Sequence, residues 1–323
     1  MRRRAHGLFV QQAWEFPAVS SRGLGPRQAI TPALPRPGAP TSELLVMCLM
    51  TLRRETLRVL EFLDRFVGRG SYRPLKRWLD PKTEYTQITY GRVLDKILGP
   101  STRWLEAGCG HEILKHGAGT EQFDLSSKPR MAVGCDIDMA SLREQHVLKN
   151  RVCCNLEALS FRSGSFEVVT LNNVAEHIAN PVKLFSELAR VLKDNGHLVI
   201  HTPNANGYWV LISRLGRFLL PERFVFGLIK FMEHREENDV FPTVYRANTR
   251  SRLVELASGA GMTVESVSLL RHRPLFYFFA PAAVVELLSA RLLTWLSMEE
   301  FASSVLLAVF RRAPAVAPSP RRE

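Results

Sequence analysis

Short apolar runs alternate with amphipathic stretches from residue 102 onward, and this alternation constrains the fold more than any other feature. TRWLEAG (102–108) reads as a strand running into a glycine turn, and MAVGCDID (131–138) as a short apolar run closed by acids. CCNLEAL (153–159) is another short segment, SFEVVTLNN (165–173) a buried strand and HLVIHTPN (197–204) a further strand. Helices fall between them. One begins near Met139; another covers NPVKLFSELARVLKDNG (180–196), with Pro181 in its first turn and Gly196 as its stop. TRSRLVELASGAG (249–261) is a helix, and TVESVSLL (263–270) and SSVLLAVFRR (303–312) are strands. Such a succession predicts an α/β sheet with a mostly parallel core.

The 323 residues leave room for one large domain with insertions or for two small ones. Residues 1–42 hold many Arg, Pro, Gly, Ser and Ala with Glu15 as the only acid, which predicts a disordered basic segment. It reads either as an organelle transit peptide or as an over-extended gene start, since Met47 and Met50 stand just ahead of the first helical pattern. Helices are expected over 43–100, the second covering roughly 84–98 and stopped by Gly99-Pro100. The net charge of +12 and pI near 9.9 point to an anionic partner or to an arginine-rich proteome. The five cysteines are odd in number, two are adjacent and none forms C-x-x-C, so neither a disulfide framework nor a zinc site is expected, and a reducing compartment fits best.

Ligands of open α/β sheets bind beyond the carboxyl ends of the strands. Glu106, Gly108 and Gly110 stand at such an end in WLEAGCGHE. Glycine lets backbone approach a ligand and take positive φ. A dinucleotide turn would need a third glycine at 113, where Ile113 stands, and Glu106 would repel a pyrophosphate. The segment is thus either a cradle for a cationic ligand or a tight turn. At the second strand end, Asp136 is placed to accept both hydroxyls of a ribose, while Asp138 is the better cap for the helix from Met139.

With these segments in order, WLEAGCGHE, VGCDID, NLEALSFRSGSFEVVTLNNVAEHI and NPVKLFSELARVLKDNGHLVIHTPN, the chain resembles the class I S-adenosylmethionine-dependent methyltransferases. The resemblance is to the type 11 group, related to quinone-biosynthesis methyltransferases, over roughly 85–270 and the last strand. It implies a Rossmann-like class I methyltransferase sheet, mostly parallel with an antiparallel last strand, plus helical lid insertions. It implies S-adenosylmethionine as cofactor. Glu106 and the Gly108–Gly110 backbone would hold its amino-acid end, and Asp136 the ribose. Ile137 would pack on the adenine, Asn155 and Leu156 would read the adenine edge, and Asn172 would lie beside the methionine moiety. Glu112, Asn155 and Asp194-Asn195-Gly196 depart from the group's usual glycine, aspartate and Pro-Gly-Gly.

A hydroxyl acceptor must lose its proton, and His177, just past the fourth strand, is a candidate base or else a packing histidine; His201 and Tyr245 are further candidates. Glu176 and His177 match part of a metal site found in related O-methyltransferases, but Asn173 replaces its first carboxylate, so no metal is expected.

Two insertions interrupt the core, 205–248 and 273–300, and both are expected to emerge beside the cofactor as a helical lid, with 249–272 returning to the core, 301–312 as the last strand and 313–323 as a disordered tail. Residues 274–296 are long enough to span a bilayer, but Glu286 and Arg291 lie inside the stretch. Lid packing or a dimer contact, a membrane-surface segment and a true span are the three readings. The expected function is methyl transfer to a small-molecule acceptor, a hydroxyl of a lipid-linked, quinone-like or sugar compound. The competing reading is a membrane-associated scaffold with little turnover. No N/D-P-P-Y/F motif follows the fourth strand, so no nucleic-acid partner is expected. The expected location is cytoplasmic, with contact to the inner face of a membrane as the open alternative; the oligomeric state is left open.

Overall fold

The computed structural model describes residues 76, 78–80, 83–114, 123–219, 242–272, 274–277 and 279–314. The expected disordered segment 1–42, residues 315–323 of the expected tail 313–323, the first expected helix and residues 220–241 of the insertion 205–248 lie outside the described residues.

Helix α1 (Thr86–Ile97) precedes strand β1 (Arg103–Ala107), followed by β2 (Met131–Asp136), α2 (Met139–Glu144), β3 (Asn150–Cys153) and β4 (Phe166–Asn172). A short 3₁₀ turn, Ala175–His177, leads to α3 (Pro181–Val191), β5 (Leu192–Pro203) and α4 (Tyr208–Leu219). Then come α5 (Arg250–Gly259), β6 (Met262–Leu270), α6 (Ala280–Trp295), α7 (Glu299–Ala302) and β7 (Val305–Arg312). The seven strands form one sheet in the order β3-β2-β1-β4-β5-β7-β6. The first five are mutually parallel, and β7 runs antiparallel to both β5 and β6. This is the Rossmann-like arrangement, mostly parallel with an antiparallel last strand.

Alternation within the strands assigns each residue to a face. Leu105, Val169, Leu171, Leu198, Ile200 and Phe310 pack with α3 residues Leu184, Phe185 and Leu188 on one side. Trp104, Val168, Val199 and Val309 pack with α1 residues Tyr90 and Leu94 on the other. Glu106, two residues beyond Trp104, therefore shares the α1 side of the sheet.

One expected boundary is corrected. The helix from Asn180 ends at Val191, five residues before Gly196. Leu192 already pairs with Phe166 as the first residue of β5, and the register jumps to Val168↔His197. Asn195, not Gly196, takes the left-handed conformation (φ 64°). Gly196 is needed for another reason: a Cβ there would come within 2.9 Å of the Glu167 carbonyl. The strand pairing outweighs the weak helix preference of the Asp-Asn-Gly run.

Because β6 is parallel to β5, Pro203 and Leu270 both lie at the carboxyl-end edge, each opposite Val305. The connections after them therefore leave the sheet on the same side as the ends of β1, β2 and β4.

Candidate functional site

The glycine turn after β1 is built by backbone. The Gly108 and Cys109 amides both donate to the Cys135 carbonyl, at 2.7 and 3.0 Å. Gly108 takes φ 75° and a Cβ there would meet Val174 at 2.5 Å, so no side chain fits. Gly110 takes φ 47°, yet a Cβ there would have nothing within 4 Å. At Gly108 the protein itself fills the space; at Gly110 the space is open. Gln145, fully buried, aims its amide nitrogen at the Cys109 and Gly110 carbonyls, 3.4 Å from each.

Asp136 leaves the end of β2 half-buried. One of its oxygens accepts the Gly110 amide and the other the Asp138 amide, both at 2.9 Å. Each oxygen has a further lone pair, so the carboxylate can still receive two hydroxyl donors. Asp138 is the cap of α2, accepting from the Ala140 and Ser141 amides at 3.1 Å. Ile137 lies between them with an exposed side chain, 67% accessible, on the same strand end. Asn155 is exposed, and its oxygen accepts the Glu157 amide at 2.9 Å, which shapes the turn that also carries buried Leu156.

Glu106 is 1% exposed. It faces Thr170, its register neighbour on β4, and the Thr170 hydroxyl donates to it. Trp104 supports the pair through its indole N–H, 2.6 Å from the Thr170 oxygen. Burial pushes the Glu106 carboxyl up to about 8 from its ordinary 4.5, against the opposing effect of the Thr170 bond. The Tyr90 hydroxyl of α1 is also held well above its ordinary value, by burial first and then by Glu106. A buried carboxyl of this kind favours a cationic group arriving beside it, which would restore its charge.

Asn172, at the end of β4, is tied on two sides. It exchanges paired hydrogen bonds with Gln87 of α1, at 2.9 and 3.0 Å, and donates to the Ile113 carbonyl at 2.9 Å.

His177 sits beyond β4 with Nδ1 3.0 Å from the Pro242 carbonyl and Nε2 3.8 Å from the Glu176 carboxyl. A carbonyl only accepts, so Nδ1 carries a proton directed at it. Glu176 is 4% exposed and accepts the Thr202 hydroxyl at 2.8 Å, and its carbonyl accepts the Val244 and Tyr245 amides. Asn173 and Tyr245 both hold left-handed backbone, φ 55° and 52°, on either side of this turn, and the Arg214 guanidinium lies 5.1 Å over the Tyr245 ring. The His201 carbonyl accepts the Asn173 amide at 2.8 Å, and its side chain, 2% exposed, packs against the Tyr90 ring. Among the described residues, no cluster of three or more His, Cys, Asp or Glu is arranged to hold a metal ion, and the four cysteines there are free thiols.

Sequence reasoning missed Gln87, Thr170 and Gln145. Thr170 carried a signal, being the one hydroxyl inside the buried run VVTL. Gln87 carried none, since its partner is 85 residues away.

The residues that form this site fit an adenosine bearing a cationic amino-acid arm. A carboxylate with spare lone pairs stands next to an exposed aliphatic side chain, a glycine borders open space, and a buried carboxyl lies at the adjoining strand end. Residues 105–200 match the methyltransferase-domain family of type 11. A ubiquinone biosynthesis O-methyltransferase of Cupriavidus pinatubonensis is 27% identical over 203 residues, 59% of this chain and 78% of that protein. One from Coxiella burnetii is 24% identical over 176 residues, 53% of this chain and 68% of that protein. Among solved structures, a putative methyltransferase of Bacillus halodurans superposes with a TM-score of 0.45 at 16% identity, over 70% of this chain and 99% of that one.

Proposed function

The chain belongs to the class I S-adenosylmethionine-dependent methyltransferases of the type 11 group, and from that premise we propose that it methylates a hydroxyl of a lipid-linked, quinone-like acceptor held near a membrane surface. The observation that carries the acceptor class is the apolar outer face of α6, together with the relatives named for ubiquinone biosynthesis.

S-adenosylmethionine, when bound, supplies an electrophilic methyl group on a sulfonium. The protein's part is alignment and proton removal. Asp136 holds the ribose hydroxyls, Ile137 and the Asn155–Leu156 turn flank the adenine, and Glu106 receives the cationic end. Gly108 keeps the loop close enough for these contacts. His177 is the proposed base: the Pro242 carbonyl fixes its tautomer, so Nε2 takes the acceptor proton. The Glu176 carboxyl, 3.8 Å away, is placed to offset the resulting positive charge.

Helix α6 buries Ala283, Leu287 and Ala290 along one stripe, while Val285, Leu288, Leu292 and Trp295 stay exposed along the opposite one. A helix apolar on both sides needs apolar surroundings on both. Glu286 does not interrupt this. Its carboxylate accepts the Leu275 and Phe276 amides at 2.8 and 3.2 Å and the Tyr208 hydroxyl, which joins the two insertions. Among the described residues no helix is long and apolar enough to cross a membrane, and α6 has 16 residues. A helix lying in the interface of a cytoplasmic membrane face fits this pattern. The described parts of the two insertions, 205–219 and 279–300 among them, would then roof the acceptor.

The test is transfer of labelled methyl from S-adenosylmethionine to a membrane lipid extract and, separately, to sugar nucleotides. Label in a hydroxylated lipid fraction is the expected result. Label confined to the sugar nucleotides would overturn the lipid-linked acceptor.

A further inference from the structure

The paired amides of Gln87 and Asn172 carry an inference that rests on the cofactor reading above. The Ile113 carbonyl can only accept a hydrogen bond, so the Asn172 atom 2.9 Å from it is the amide nitrogen. That settles the orientation of the whole pair. Asn172 Nδ2 spends one hydrogen on Ile113 and the other on Gln87 Oε1, at 2.9 Å. Asn172 Oδ1 accepts Gln87 Nε2 at 3.0 Å. Two capacities are left over side by side: a second lone pair on Asn172 Oδ1 and a second N–H on Gln87 Nε2. One acceptor beside one donor is the complement of an ammonium beside a carboxylate.

The position agrees with that complement. Asn172 is half-buried at the carboxyl end of β4 and bonds the loop after β1, while Gln87 is 2% exposed in the first turn of α1. Glu106 lies on the same side of the sheet, on the strand adjoining β4. We propose that Gln87 is a cofactor-recognition residue: it locks Asn172 so that Oδ1 faces the ammonium of the methionine moiety, and its own second N–H meets the carboxylate. Helix α1 thereby supplies a wall of the cofactor site, and the zwitterionic amino-acid end is read by two neutral amides above one buried carboxyl.

The test uses two ligands on the full chain. S-adenosylhomocysteine carries the amino-acid end; 5′-methylthioadenosine has the same adenosine and sulfur but lacks it. Calorimetric titration of Gln87→Met should show S-adenosylhomocysteine weakened about tenfold, the loss of roughly one hydrogen bond to a charged group. Binding of 5′-methylthioadenosine should change less than about twofold. Equal weakening of both ligands would reduce Gln87 to a buttress of the fold, and no weakening of either would remove it from the site. If Gln87→Met loses its melting transition, Gln87→Glu carries the same test, because it keeps an acceptor for Asn172 and replaces the donor by an oxygen that repels the carboxylate. Wild-type protein that binds neither ligand would overturn the cofactor reading itself, which is a separate outcome.

Discussion

The loop after β1 and the connection after β6 leave the same edge of one sheet, yet they are built in opposite ways. The first opens on a tight polar turn whose groups have assigned partners, Gly108 and Cys109 on the Cys135 carbonyl and Gly110 on Asp136, with Glu106 on Thr170 at the strand end before it. The second is long and mostly apolar. It is held by a small cluster of Leu79, Tyr277, Ala283 and Leu287, by an Arg271–Asp80 ion pair at 2.9 Å and by the Glu286 carboxylate, while its outer face stays bare. A region that selects a small polar ligand needs rigid, satisfied groups. One that meets an apolar surface needs only area, so nearly any large side chain serves.

The sharpest way to break this comparison is at Glu106. Glu106→Gln keeps the size and an acceptor for the Thr170 hydroxyl but cannot ionise, and it should weaken S-adenosylmethionine at least about a hundredfold, since charged-group hydrogen bonds contribute roughly 1.5–3 kcal/mol and the cation adds more. The same variant sharpens a pH effect. The folded carboxyl titrates near 8 and the unfolded one near 4.5, so the unfolded chain loses its proton first as pH rises. The contribution of Glu106 to stability is therefore complete below the lower value and is lost as pH climbs through the higher one. Denaturant unfolding of the ligand-free protein should show this decline in the wild type and not in Glu106→Gln. A parallel decline in both would assign it elsewhere.

Asp136→Ala should cost about tenfold to a hundredfold in cofactor affinity, by removing the ribose acceptor. Its melting temperature is the control, because the carboxylate also holds the Gly110 amide.

The two glycines come next. Gly108→Ala meets both a left-handed backbone and the Val174 side chain, and should destabilise by about 1–3 kcal/mol or more. Gly110→Ala meets only the backbone term, about 1 kcal/mol, but places a methyl in the open space. Affinity should thus fall in Gly110→Ala with little change in melting. The reverse pattern would place the ligand elsewhere.

The smallest effect on the fold is expected in the apolar connection. Leu292→Ser with Trp295→Ser should shift stability by no more than about 0.5 kcal/mol per site, because both side chains are exposed. Sedimentation with anionic vesicles should nonetheless drop, while cofactor affinity holds. A stable dimer that dissociates on these substitutions, with no vesicle binding by the wild type, would make the face a contact between two copies.

The parts legible in the sequence were those with short-range causes. Alternation in SFEVVTLNN and HLVIHTPN marks buried strands because side chains point to opposite faces, and Asp138 two residues from Ala140 is a cap by local geometry. Gly108 announces a tight turn because few other residues take φ 75°. The end of α3 was misplaced because DNG looks like a helix stop, whereas pairing of Leu192 with Phe166 ends the helix earlier.

By itself, then, the sequence determined the strand order's raw material and the acidic and glycine positions at the strand ends, since these depend on residues within a few places of each other. Tertiary structure alone decided what those groups meet. Glu106 is held mostly neutral near pH 7 only because α1 covers that face of the sheet, which outweighs the opposing hydrogen bond from Thr170 in register beside it. The Asn172 amide has its orientation only because the Ile113 carbonyl and Gln87, 85 residues earlier, lie in space where they take its N–H groups. Side-chain ionisation and amide orientation answer to neighbours in space, and a linear pattern does not state who those neighbours are.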